Sequence, residues 1–344
     1  MLEVSEGNAH VPLALNLPPR VPLARLPTPL EPSARLGAAM GIELVYKRDD
    51  LSGLELSGNK VRKLEYLLAE AEAQGAQVIV TCGGVQSNHC RAAAFAAARR
   101  GMASVLLLRV ADPAHPPALE ANAFLDHLVG AEIRWVSPDE YRHRTELLAA
   151  VAADLRAAGR RPYVIPEGGS NGLGSLGYVL AMAELKAQLP DDWVEEPIAI
   201  AYAAGSGGTG AGIELGVRVL GWEQARPLGF AVCNDALYFR RAIEAICVDA
   251  RRRWPTLPEV AAGEVEIDDG SVGPGYAQAT PEGLELIRQA ARLDGVILDP
   301  VYTGKVLLGL AARARSGSLP SRRVVFVHTG GAFGLFPFAA ELSG

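Results

Sequence analysis

Residues 198–210 read Ile198-Ala199-Ile200-Ala201-Tyr202-Ala203-Ala204-Gly205-Ser206-Gly207-Gly208-Thr209-Gly210, and an amphipathic segment, Ala211–Leu220, follows them. An unbroken apolar run closed by a glycine turn reads as a strand buried on both faces. The glycines let the backbone approach a ligand closely, with the start of a helix behind them. Strand, glycine turn and helix together form the repeating unit of a parallel α/β sheet.

The same unit recurs on either side. Apolar runs stand at Ile42–Lys47, Gln77–Cys82, Ser104–Leu108, Glu132–Val136, Pro162–Pro166, Pro227–Cys233 and Val324–His328. Helical patterns lie between them at Val61–Gln74, Arg91–Arg100, Pro117–Val129, Arg144–Ala158, Leu176–Gln188, Leu237–Arg251 and Pro281–Ala291. This alternation predicts an α/β chain with two open, twisted, mostly parallel sheets, helices on both faces and two domains. The Pro- and Leu-rich first 30 residues or so read as an extended arm.

At 344 residues, with 49% hydrophobic and 21% charged, the chain is long and apolar enough to bury a sizeable core. The net charge of −6 comes from interspersed acids and bases, which excludes a nucleic-acid stripe; Arg251, Arg252 and Arg253 read as a solvated face. No apolar run reaches the ~18 residues of a membrane span, and Glu3 and Glu6 do not suit a signal peptide. Cys82, Cys90, Cys233 and Cys247 form no C-x-x-C pair and read as reduced packing thiols. A cytoplasmic protein without metal is expected.

Four segments carry chemistry. In Leu56-Ser57-Gly58-Asn59-Lys60-Val61-Arg62-Lys63-Leu64 a helix begins near Lys60. Its positive end would lower the pKa of that amine and favour the neutral nucleophile. A surface lysine beside Arg62 and Lys63 is the equal alternative. In Thr81-Cys82-Gly83-Gly84-Val85-Gln86-Ser87-Asn88-His89-Cys90-Arg91, a strand meets an Ala-rich helix whose first amides, with Ser87 and Asn88, can hold a carboxylate. Helix capping explains Ser87 and Asn88 as well, and packing explains His89. The turn Gly205–Gly210 suits a phosphate, but it is also G-x-G-x-x-G with Asp235 downstream, so a nicotinamide-binding Rossmann unit competes. The fourth set is Gly273-Pro274-Gly275-Tyr276, Asp299-Pro300-Val301-Tyr302-Thr303-Gly304-Lys305 and His328-Thr329-Gly330-Gly331, read as turns that can wall a polar pocket.

Taken in order, G-N-K-x-R-K-L-E, G-G-x-Q-S-N-H, G-S-G-G-T and D-P-V-Y-x-G-K resemble one family over nearly the whole chain. It is the 1-aminocyclopropane-1-carboxylate deaminase and D-cysteine desulfhydrase group of pyridoxal-phosphate enzymes, of the tryptophan-synthase-β type (fold type II). The resemblance implies a pyridoxal 5′-phosphate cofactor, a small amino-acid substrate and a homodimer. It also implies a large cofactor-binding domain (1–61 and 172–344) and a small domain (62–171) that closes over the active site.

Residue roles follow from the resemblance alone. Lys60 would carry the Schiff base and move the α-proton. Asn88 would bond the cofactor's 3′-oxygen, while Ser87 and the amides of Asn88 and His89 would bind the substrate carboxylate. Gly205, Ser206, Gly207, Gly208 and Thr209 would cup the phosphate, and Tyr276 and Tyr302 would face the substrate. The deaminases carry Glu where Thr303 stands and Leu where Thr329 stands. A carboxylate beside the ring nitrogen makes a strong electron sink, and a threonine does not. Both threonines therefore resemble the desulfhydrase branch, with D-cysteine converted to pyruvate, ammonia and hydrogen sulfide. A 1-aminocyclopropane-1-carboxylate deaminase and an L-cysteate sulfo-lyase are the alternatives; a non-catalytic cofactor binder would be expected to have lost Lys60, Ser87, Tyr276 or Tyr302.

Overall fold

The computed structural model describes residues 17–343. The first sixteen residues of the expected arm, and of the expected large domain, lie outside the described residues. Among those described, ten strands, numbered along the chain, form two sheets. The larger has the order β1 (Leu30–Pro32), β2 (Glu43–Lys47), β10 (Arg323–Val327), β7 (Ile198–Ala204), β8 (Ala225–Ala231) and β9 (Ile267–Asp268). The smaller has β5 (Glu132–Val136), β4 (Ala103–Arg109), β3 (Val78–Gly84) and β6 (Pro162–Val164). β1 runs antiparallel to β2, and the remaining pairs are parallel.

All eight strands expected from apolar runs form, with ends displaced by no more than two residues. The three residues of β1 and two of β9 are too short to leave a pattern. Short helices that the pattern did not announce form at Ala34–Met40, Pro138–Arg142, Asp191–Glu195 and Ala339–Ser343, and three further departures have a visible cause. The helix expected at Pro117–Val129 forms only over Ala121–Leu128, because Gln86 accepts from the Asn122 amide and donates to the Glu120 carbonyl, fixing its start. The one expected from Leu176 starts at Gly172, capped by Asn171 through the Gly174 amide. The Asp299–Lys305 turn leads directly into a helix, Thr303–Ser316. Asp299 accepts from the amides of Val301, Tyr302 and Thr303, and so replaces the missing helical acceptors. Asp235, the acid downstream of the glycine turn, caps the Ala236–Arg253 helix through the Tyr238 amide at 2.7 Å.

The centre of the molecule is the Gly172–Gln188 helix, packed between the helices Lys60–Ala73 and Gly208–Val219. Contact is backbone to backbone: a Cβ at Gly177 would lie 2.3 Å from the Arg62 carbonyl, and one at Gly212 would lie 2.2 Å from that of Ser175. Beside this contact, Arg62 is fully buried and forks onto two acids. It donates to both oxygens of Asp49 (2.8 and 3.0 Å) and both of Glu184 (2.9 and 3.0 Å). Lys47 pairs with Glu184, Tyr178 donates to Asp49, and Thr28 bonds both Asp49 and Arg62. Burial pushes the Asp49 carboxyl up, but Arg62 outweighs it and holds the group below its usual range. Removing one member of such a cluster strands the rest in low dielectric. Arg62→Met should therefore cost roughly 3–5 kcal/mol, read as a fall in the midpoint of urea unfolding; an unchanged midpoint would show the cluster to be dispensable.

Candidate active site

Both sheets aim the carboxyl ends of their strands at one cavity of about 520 Å³. β3 contributes Gly83 and Gly84, β4 Arg109, and β7 Ala203 with Gly205; Thr329 and Gly330 follow β10. In parallel sheets this is where ligands bind. Lys60, Ser87, Asn88, His89, Tyr276, Tyr302 and Thr329 line the cavity, as do Gly205, Ser206, Gly207 and Thr209. Gly208 lies directly behind them. Thr303 does not reach the cavity. It is fully buried, and its hydroxyl donates to Asp299 Oδ1 at 2.8 Å and accepts from the Asp299 amide at 2.7 Å.

At one end, Gly207 (φ +85°) turns the chain into the Gly208–Val219 helix, and no side chain caps that helix. The conformation and the open N-terminal amides together suit an anion. Ser170 and Ser206 share a hydroxyl hydrogen bond of 2.8 Å, and the Gly208 amide donates to Ser170. A Cβ at Gly208 would stand 2.9 Å from Lys63 Nζ. Lys63 is buried, bonded only to the Gly168 carbonyl and Ser170, and pairs with no carboxylate among the described residues. Burial, with the Lys60 charge adding to it, holds its pKa well below the usual value. A buried amine without a counter-ion among the described residues, beside an uncapped helix start, fits a phosphate dianion, whose charge would hold that amine protonated. Gly210 has no room for a side chain: its Cβ would lie 2.7 Å from Ile243.

Lys60 starts its helix, and its amine donates to Asn59 Oδ1 at 3.0 Å while Asn59 donates to Thr209 at 2.9 Å. The Lys60 pKa is pushed down to about 8, chiefly by burial; Asp299 opposes the shift and Arg91 assists it. Burial, more than the helix end, prepares this amine. At pH 7 roughly a tenth is neutral, against about one in three thousand for an ordinary lysine.

On the small-sheet side Ser87 caps the Asn88–Arg99 helix through the Cys90 amide at 3.1 Å. Asn122 donates to Asn88 Oδ1 at 3.0 Å, leaving the Asn88 amide hydrogens to the cavity. His89 is buried and neutral. The Thr81 hydroxyl donates to the Ile165 carbonyl, so it accepts from His89 Nε2, and His89 Nδ1 has no partner. Facing Lys60, the hydroxyls of Tyr276 and Tyr302 are 2.8 Å apart, and Lys60 Nζ is 6.0 Å from the Tyr302 ring centre. Burial raises both tyrosines. Their mutual hydrogen bond lowers Tyr276, which stands at about 12, and raises Tyr302 further.

An amine poised for a carbonyl, an anion cradle and a polar middle agree with the comparisons to known proteins. The sequence profile described as "Pyridoxal-phosphate dependent enzyme" matches residues 21–330. The chain belongs to the pyridoxal-phosphate-dependent enzyme family. It is 42% identical to the mitochondrial bifunctional D-cysteine desulfhydrase/1-aminocyclopropane-1-carboxylate deaminase of Arabidopsis thaliana, over 91% of this chain and 78% of that one. It is 36% identical to D-cysteine desulfhydrase of Klebsiella pneumoniae (strain 342), over 94% and 97%. The crystal structure of a homologue of ACC deaminase superposes with a TM-score of 0.86 at 36% identity, covering 94% of this chain and 95% of that one. The protein is thus a pyridoxal-phosphate enzyme of the deaminase/desulfhydrase group with the expected two-sheet fold. No helix among its described residues is long and apolar enough to cross a membrane.

Asn59, Lys63 and Asn122 escaped sequence reading. Lys63 looked like half of a solvated Arg-Lys pair, and Asn122 has no local signal. Two outcomes test this geometry. Lys63→Met should weaken retention of pyridoxal phosphate by roughly 10- to 100-fold while hardly changing that of pyridoxal, which lacks the phosphate. The rate at which apoenzyme recaptures the cofactor should rise with pH through an inflection near 8 and then level, because the Lys60 amine is already neutral above it. A rate still climbing past pH 10 would mean an ordinary lysine.

Proposed function

We propose that this enzyme eliminates the β-substituent of a small amino acid and that D-cysteine is the substrate it serves best, giving pyruvate, ammonia and hydrogen sulfide. One observation carries the choice of branch: among the described residues the cavity is lined by a single carboxylate, Glu167, already bonded to Arg144 and Tyr141, and none stands at the position that the deaminases fill with a glutamate. Thr303 occupies that position and is spent on Asp299, whose own oxygens are filled by three backbone amides and the Thr303 hydroxyl. Thr329, at the cavity surface, offers only a neutral hydroxyl. Such a wall supports a modest electron sink, adequate when sulfur leaves but a poor match for opening a cyclopropane.

Bound between Lys60 and the Gly205–Thr209 cup, pyridoxal phosphate supplies the sink for the electron pair left at the substrate's α-carbon. The chain's own residues do the rest. Ser87 and the first amides of the Asn88–Arg99 helix hold the α-carboxylate against the positive helix end. The Lys60 amine, whose hold on a proton burial weakens, accepts the α-proton. Tyr276, the more readily ionised of the tyrosine pair, holds a proton for the departing sulfur, and Tyr302 relays one to it. Asn88, steadied by Asn122, presents its amide hydrogens to the cofactor. Residues 62–171 move as the small domain over this site, and the enzyme acts as a cytoplasmic homodimer; sedimentation of the holoenzyme tests the dimer.

Pyruvate release from D-cysteine, L-cysteine, D-serine and 1-aminocyclopropane-1-carboxylate tests the reading. D-cysteine should be consumed fastest, Lys60→Ala should abolish turnover by at least roughly 1000-fold, and Tyr276→Phe should lower kcat by about 100-fold. Faster release from 1-aminocyclopropane-1-carboxylate would overturn the argument from Thr303 and Thr329.

A further inference from the structure

Lys305 closes the D-P-V-Y-x-G-K motif and does not line the cavity, yet it is only 4% exposed. It stands in the first turn of the Thr303–Ser316 helix, whose positive end disfavours a cation. Burial lowers its pKa as well, with Cys233 and Asp299 opposing the shift. No carboxylate pairs with it among the described residues, because Asp299 is taken up by three amides and the Thr303 hydroxyl. Three backbone carbonyls offset these costs. Lys305 Nζ donates to Val232 at 2.8 Å, to Val272 at 2.7 Å and to Gly275 at 2.7 Å. Three acceptors use every hydrogen of an ammonium, whereas a neutral amine would turn its lone pair on one of them. Carbonyl oxygens gathered around a single positive charge are also how proteins hold potassium.

The three carbonyls come from the far wall of the cavity. Val232 follows β8 and precedes Cys233 and Asn234, which line that wall. Val272 and Gly275 belong to the loop of residues 269–280, which joins β9 to the Pro281–Asp294 helix and carries Tyr276. Tyr302 immediately precedes the helix on which Lys305 sits. One ammonium thus ties both halves of the tyrosine pair to one point. The loop needs such a tie. Gly273 (φ +64°), Gly275 (φ +144°) and Ala277 (φ +57°) bend it through conformations that are costly for alanine, and the Gln278 amide reaches the Gly275 carbonyl only at 3.4 Å. The Tyr276 hydroxyl nevertheless meets that of Tyr302 at 2.8 Å.

We propose that Lys305 is a positioning residue whose ammonium fills, from within the chain, a monovalent-cation site made of the Val232, Val272 and Gly275 carbonyls, and so sets the tyrosine pair against the substrate. This deepens the β-elimination reading and rests on it for the tyrosines' roles.

The test removes the ammonium and then supplies one, with the cofactor absorbance confirming that each variant is loaded. Lys305→Ala should lower kcat for D-cysteine by about 100-fold with little change in KM. Methylammonium or propylammonium should restore about tenfold of it, and tetramethylammonium, which has no N–H to donate, none. Lys305→Met, whose side chain fills the channel, should lose as much and gain nothing from either amine. Combined with Tyr276→Phe, Lys305→Ala should lose no more than the worse single variant. Exchange of the α-proton of D-alanine for deuterium, which needs Lys60 but no leaving group, should persist. Losses that multiply in the double variant, an equal loss in α-exchange, or loaded enzyme that no ammonium rescues would each overturn the proposal. If Lys305→Ala does not hold the cofactor, Lys305→Gln, which keeps two N–H donors, serves the double-variant and α-exchange comparisons with a loss of about tenfold. If the wild-type enzyme releases pyruvate from no substrate, the elimination reading fails, and amide hydrogen exchange over residues 273–278 decides the clamp alone. That exchange should quicken in Lys305→Ala and slow again with methylammonium; exchange that does not change overturns the clamp.

Discussion

The Arg62 fork sets the geometry on which the site depends. Lys60 lies two residues upstream on the same helix, and Asp49 precedes the loop that leads into it, so one guanidinium fixes both approaches to the amine. The cluster of Arg62, Lys47, Asp49 and Glu184 holds two charges of each sign. It locks position without projecting a net field into the cavity. The Lys60 pKa is accordingly set by desolvation, with Asp299 and Arg91 as lesser influences, and not by the cluster two residues away. Position and reactivity are supplied by different neighbours.

The frame was legible because its signals are local. The apolar runs of β7 and β10 need no knowledge of their partners, since burial on both faces leaves an unbroken pattern. Helix starts were harder, because the group that decides them is often distant or ambiguous. Gln86 trims the Ala121–Leu128 helix from across a loop, and Asp299 begins a helix where Asp-Pro suggested only a turn. Buried charge was least legible. Arg62 and Lys63 sit side by side in what reads as the solvated face of an amphipathic helix, yet both are fully enclosed. Residues 61–68 of that helix are buried all round, and neither hydrophobic periodicity nor composition records a polar partner contributed from 120 residues away, as Glu184 is. Thr303 shows the opposite limit. Its position in a motif suggested contact with the ring, and the folded chain turns its hydroxyl back on Asp299.

The cavity is electrically uneven. Among the described residues Lys63, by the phosphate loop, and Arg109, at the end of β4, have no carboxylate partner, and between them lie an amine whose pKa is lowered to about 8 and a pair of un-ionised tyrosines. Unsatisfied charge in a folded protein is costly unless a ligand completes it.

The close helix contacts have a consequence for how such an enzyme can diversify. At Gly177 and Gly212 any side chain would strike backbone, so the region that carries the lysine and the phosphate cup has almost no neutral substitutions open to it. The outer wall is assembled differently, from single side chains at the ends of β4 and β8 and from the turns that follow. Those positions can be exchanged one at a time without shifting a helix. Drift is therefore channelled: lineages of this architecture can wander in what they consume while the apparatus that consumes it stays frozen.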